Sequence, residues 1–158
     1  MMNMGAWRGM GLFAFRPVAF AAACAFVFAL GAPAAVADSQ ASGVWRAKNG
    51  KVTIRLSACG GEKLCGRIVG LSKPRGKDGK LKRDKKNPNS ALRNRPVIGV
   101  TILSGLKPEG ANAWSGSIYN PDDGNTYRSK VKLVSPTRLK VNGCVSVVCK
   151  SMDFYRVN

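Results

Sequence analysis

The chain has 158 residues, no histidine, and 26 lysines and arginines against eight acids, a net charge of +18. That length suits one modest domain, and a charge of that size opposes compaction by self-repulsion while attracting anions. Without histidine the chain lacks the side chain that most often moves protons or ligates metal near neutral pH.

Residues 1–37 read as a secretory signal peptide: Arg8 and Arg16 form the positive segment, residues 17–30 an apolar run, and Ala35-Val36-Ala37 a cleavage site before Asp38. The run is too short and wrongly flanked for a resident membrane helix. Cys24 inside it follows three alanines and lacks the leucine or valine that a lipoprotein cleavage needs. Cleavage removes two cations and no acid, so it leaves a single domain, residues 38–158, with a net charge of +16. Its destination is periplasmic or extracellular. Four cysteines remain, Cys59, Cys65, Cys144 and Cys149. An even number in an oxidising compartment implies disulfides, and these spacings without histidine do not fit a zinc site. Of the three connectivities, the local bridges Cys59–Cys65 and Cys144–Cys149 are the first choice, each closing a short loop.

Residues 42–48 open the domain as a strand and run into Asn49-Gly50, a strong hairpin signal. Residues 51–57 alternate, with Val52, Ile54 and Leu56 on one face and Lys51, Thr53 and Arg55 on the other, as a half-buried antiparallel strand does. Residues 64–71 form the third strand, where Gly66 and Gly70 mark a bulge or a close backbone approach. Residues 73–95 then interrupt the pattern with ten basic residues against Asp78 and Asp84, and residues 90–94 suit one helical turn. Such a long connection in a compact domain is usually functional or disordered. Residues 97–103 read as the most apolar strand and 107–110 as a turn. Strands follow at 113–119, 126–134, 138–141 and 147–157, separated by the turns at 120–125 and at Ser135-Pro136. Eight short strands in hairpin order predict an all-β fold, an eight-stranded antiparallel up-and-down barrel carrying one long basic loop. A barrel of that size fills its interior with side chains or holds one small ligand.

Several motifs arrive in an order that resembles an exported bacterial family, the domain of unknown function 2147. They are Gly43-Val44-Trp45, Leu64 to Leu71, Asp84-Lys85-Lys86-Asn87-Pro88, Arg93 to Gly99, Trp114 to Pro121 with Gly124 and Tyr127, and Leu139 to Cys144. The resemblance spans nearly all of residues 43–156 and implies a small lipocalin-like barrel, without an activity, substrate or catalytic residue. The chain departs from the family in ending Phe154-Tyr155-Arg156, where a tryptophan is usual, and in the strong charge of its loop. Gly43-x-Trp45 on the first strand with Arg156 on the last also resembles the calycin arrangement, in which a tryptophan closes one barrel end beneath an arginine. A guanidinium over an indole contributes about 0.5–2 kcal/mol. The plainer reading makes Trp45 an ordinary core aromatic and Arg156 a solvated charge.

No catalytic constellation emerges: the cysteines are expected to be paired, the acids fall mostly in turns, and no cofactor or metal motif is present. Lys77-Asp78-Gly79-Lys80 fails the calcium-loop pattern. Asp84, set among Lys82, Arg83, Lys85 and Lys86, is expected to stay ionised and to tie the loop down by ion pairs. The candidate anion-binding residues are Lys80, Lys82, Arg83, Lys85, Lys86, Arg93 and Arg95, with Asp84 and Asn87-Pro88 shaping the segment. Export argues against nucleic acid as partner and toward anionic lipid headgroups or lipopolysaccharide. A small apolar or amphipathic ligand in the barrel is the other binding reading, and a structural or stress-related envelope role without ligand is the alternative. The charge run also reads as a merely solvated, mobile loop.

Overall fold

The computed structural model describes residues 40–157, so the expected signal peptide and the expected start at Asp38 lie outside the described residues. The eight strands are β1 (Gly43–Ala47), β2 (Val52–Ala58), β3 (Leu64–Leu71), β4 (Thr101–Pro108), β5 (Ala113–Asn120), β6 (Asn125–Ser135), β7 (Arg138–Val145) and β8 (Val148–Arg156). Each pairs antiparallel with the next, and β8 returns to β1 through Trp45↔Arg156, Arg46↔Tyr155 and Ala47↔Phe154. The sheet is a closed barrel in simple chain order. The two expected disulfides are both formed, and they fit an oxidising, exported environment. Among the described residues no helix is long and apolar enough to cross a membrane.

Alternation along the strands builds the core. Val131 and Leu133 on β6 point inward while Lys130, Lys132 and Val134 face out, and β7 repeats the pattern with Leu139 and Val141 buried. Trp45, Ile54, Leu56, Leu103, Leu106 and Leu139 are completely or almost completely buried. The glycines among them leave room for their neighbours: a Cβ at Gly66 would lie 3.0 Å from Leu56 and Leu103 on the flanking strands, and one at Gly143 3.2 Å from Ile118. Gly66 is therefore the close approach its position suggested. Opposite Gly70 the register shifts between Thr53 and Ile54, so a bulge is present there too.

One strand starts later than its sequence suggests. The apolar run 97–103 reads as a strand, yet β4 begins at Thr101 and continues through Pro108, into the start of the expected turn. Val97 belongs to the loop, where its N–H donates to the Lys82 carbonyl, and Val100 N–H turns back onto the Val97 carbonyl. Gly99 N–H still donates to the Ile68 carbonyl and Ile68 N–H to the Val100 carbonyl, so Val100 is buried against β3 just ahead of the strand. Beyond Ser104 the β4–β5 register shifts by one residue, and this bulge carries the strand on to Pro108.

Because strand direction alternates, the connections divide between two barrel ends. One end carries the start of β1, the end of β8, and the 59–63, 109–112 and 136–137 turns. The other carries the 48–51 hairpin, the basic loop, the 121–124 turn and the 146–147 hairpin.

Candidate functional site

At the first end Arg156 lies over Trp45, its Cζ 4.3 Å from the ring centroid, while the indole Nε1 donates to the Ala41 carbonyl at 2.8 Å. The guanidinium donates to the carbonyls of Pro136 (2.8 Å), Ser42 (2.9 Å) and Gln40 (2.5 Å), so one side chain fastens the chain's entry to the β6–β7 turn. Gly43 makes room for it. Its φ is +135°, and a Cβ there would stand 2.5 Å from Arg156 Nη1. The closure expected of Gly43-x-Trp45 and Arg156 is present.

The other end is organised around a buried acid. Asp84 is 0% exposed. Its Oδ2 accepts from Arg95 Nη2 (2.7 Å) and Nε (3.0 Å) and from Asn87 Nδ2 (2.8 Å), and its Oδ1 accepts from the Tyr119 hydroxyl at 2.6 Å. Burial works to raise the Asp84 pKa, but the bonds from Tyr119, Asn87 and Arg95, with the charge of Arg95, outweigh it and hold the carboxyl below the ordinary aspartate value. Tyr119 is pushed the other way, up, by burial and by the anion it faces. The expected ion pair is thus real, but its cation is Arg95, eleven residues away, not the neighbouring lysines.

Asn87 extends the network. Its Oδ1 accepts from the Asn89 N–H, its carbonyl accepts from Arg93 Nε, and Asn89 caps the single 3₁₀ turn Ser90–Leu92. Arg83 donates to the Asn94 carbonyl, and isolated bridges join Arg75 to Leu81 and Arg83 to Pro96. The loop docks on the β5–β6 turn at Gly124, whose φ is +78° and where a Cβ would overlap the Lys86 carbonyl. The turn is itself braced by Asp123, which accepts from Asn120, Tyr127 and the Asn125 N–H. A long basic excursion is therefore a folded structure.

Of the cations singled out by sequence, Lys80, Lys82, Arg83 and Lys85 line one groove of about 390 Å³ together with Leu81, Val97, Pro121 and the acids Asp78 and Asp122. Lys86 is exposed beside it. Arg93 and Arg95 are not part of the groove lining and instead hold the loop together. A second concavity, about 690 Å³, runs along the wall near Lys107, Ser115, Arg128 and Lys130. Tyr119 was missed by sequence reasoning. The usable signal was an aromatic at an outward strand position, where alternation puts Trp114, Gly116 and Ile118 inside. Among the described residues no three His, Cys, Asp or Glu side chains gather to hold a metal ion.

Architecture and barrel closure define a small lipocalin-like barrel. The chain belongs to the domain of unknown function 2147, an uncharacterised protein family conserved in bacteria, whose profile matches residues 43–156. Among solved structures it is similar to protein HP1028 from Helicobacter pylori, described as a member of the lipocalin family. That similarity has 27% identity and a TM-score of 0.63, covering 74% of this chain and 82% of that one. A redesigned β-barrel also matches at 16% identity and TM-score 0.46, over 76% of this chain and 94% of that one. No curated protein matches the chain.

Proposed function

We propose that this protein is a non-catalytic binding module of the cell envelope that takes phosphate-bearing anions in the groove beside Asp84. The observation that carries the reading is the placement of Lys80, Lys82, Arg83 and Lys85 around one concavity, on a loop fixed by a buried carboxylate. Ordering the loop beforehand reduces the entropy lost on binding, which is what distinguishes a site from a solvated charge run. The barrel wall has the same sign. Arg55 lies directly opposite Arg67, and Lys132 opposite Lys140, and such like-charge pairs cost stability unless an anion is near. An apolar ligand inside the barrel draws support from the lipocalin-like fold, but the near-complete burial of the inward side chains Ile54, Leu56, Leu103, Leu106 and Leu139 favours the outer groove.

The test is fluorescence titration with a soluble phosphorylated disaccharide headgroup free of acyl chains, across a salt series. Binding should weaken as salt rises, because screening shortens the reach of the cations. Replacing Lys82, Arg83, Lys85 and Lys86 by Gln should remove most of the affinity and flatten the salt dependence while the fold persists. Equal titration curves for the wild type and the quadruple variant would assign the charge to solubility alone.

A further inference from the structure

The β7–β8 hairpin shares the loop's end of the barrel, and it breaks the rule that apolar side chains face the core. Val145, Val147 and Val148 are 61%, 91% and 68% exposed. The last β6–β7 pair is Arg128↔Cys144, so the tip beyond it pairs only with itself, through Val145↔Val148. The Cys144–Cys149 disulfide spans the base of this tip and holds its shape. Three valines presented to water on a rigid turn are a surface cost with no folding return, and such contiguous patches mark interaction sites.

What surrounds the tip indicates what it meets. Arg128 Nη2 donates to the Ser146 carbonyl at 3.0 Å, and Lys150 flanks the other side, exposed. Arg128 rises from β6, which follows the turn where Gly124 lies against the Lys86 carbonyl, so the tip rests on β6 and the basic loop on the turn that leads into it. A further exposed apolar side chain, Leu81 at 44% exposure, stands between Lys80 and Lys82 on that loop. Apolar projections ringed by cations match a bilayer interface, where valines enter the acyl boundary and lysines lie against phosphates.

We propose that this end of the barrel docks on an anionic phospholipid bilayer, the Val145, Val147 and Val148 tip inserting at the acyl boundary while the loop cations lie over the headgroups. This rests on the anion-binding reading of the groove and names its source as lipid. The competing occupant is a second copy of the chain, paired along residues 148–152, which bond to β7 alone. Lys150 in the middle of that open edge opposes it, as an edge lysine does, because two copies would bring like charges together.

The experiment uses purified protein with its disulfides intact and vesicles of equal parts phosphatidylglycerol and phosphatidylcholine. Val147→Trp places a reporter at the tip, while Trp45 and Trp114 are buried and provide a constant background. Vesicles should shift its emission to the blue, and brominated acyl chains should quench it. Changing Val145, Val147 and Val148 to Ser should lower partitioning at least about tenfold, since burial of these apolar side chains is what drives insertion. The soluble headgroup should still bind that variant, which separates this inference from the groove reading. An unquenched reporter, or equal partitioning of wild type and triple-serine variant, would overturn insertion. So would a mass that doubles with concentration in solution and reverts in the triple variant, which would assign the tip to a dimer.

Discussion

Each end of the barrel is fastened by an arginine, but the two arginines are used in opposite ways. Arg156 spends its donors on the carbonyls of Gln40, Ser42 and Pro136 and lays its face on Trp45, with no carboxylate involved. Arg95 instead meets a buried anion, Asp84, which also collects Tyr119 and Asn87. The first arrangement closes a barrel end. The second uses one acid to pull the inner side of a loop onto the wall, which leaves Lys80, Lys82 and Lys85 pointing to solvent around a groove. A cationic surface can thus be held in place by its rare acids, and where those acids lie matters more than the net charge.

The comparison breaks most visibly at Asp84. Asp84→Ala leaves Asn87, Tyr119 and Arg95 without their acceptor, and removing one member of a buried ionic network is strongly destabilising. With Arg95 partly exposed and able to regain water, a loss of about 2–4 kcal/mol is expected by urea denaturation. Amide exchange should rise across residues 84–95 and stay slow around Trp45, and a uniform rise would show that the ends are not separately fastened. Arg156→Ala should cost less, about 1–2 kcal/mol, through lost stacking and lost packing of its aliphatic stem. Trp45 emission should redden in that variant while the Asp84 network persists. Unchanged urea stability would reduce the contact to ornament.

The two ends were not equally legible. Gly43-x-Trp45 and Arg156 could be joined from sequence because their partners are set by strand order: once β8 closes on β1, Trp45 and Arg156 are opposite one another. The loop offers no such periodicity. Asp84 was recognisable as an odd acid among cations, yet neighbouring lysines masked Arg95 as its partner, and Tyr119 arrives from a strand 35 residues away. The start of β4 was obscured for a related reason. Val97 has a strand-like side chain, but its N–H goes to the Lys82 carbonyl in the loop, and hydropathy does not record where backbone bonds go. Long-range polar pairing is the part of a fold that local pattern carries least.

The finest separation of the two ends comes from acid. Since the folded-state pKa of Asp84 lies below its ordinary value, the carboxylate's contribution is complete above the ordinary aspartate range and is lost as pH falls through the folded value. Protonation would remove Oδ1 or Oδ2 as a full acceptor and release Arg95, so the loop should loosen only at a pH below the ordinary aspartate value. At the opposite end Arg156 meets only an indole and carbonyls, and none of these titrates between pH 7 and 2. Side-chain resonances should report this directly: the Asn87 amide protons should shift on acidification well before the Trp45 indole N–H does. In Asp84→Asn the Asn87 transition should disappear, because the titrating group is gone while the shape is kept. If Asn87 and Trp45 move together in the wild type, or if Asn87 still titrates in Asp84→Asn, another acid governs the loop and Asp84 is not what holds it.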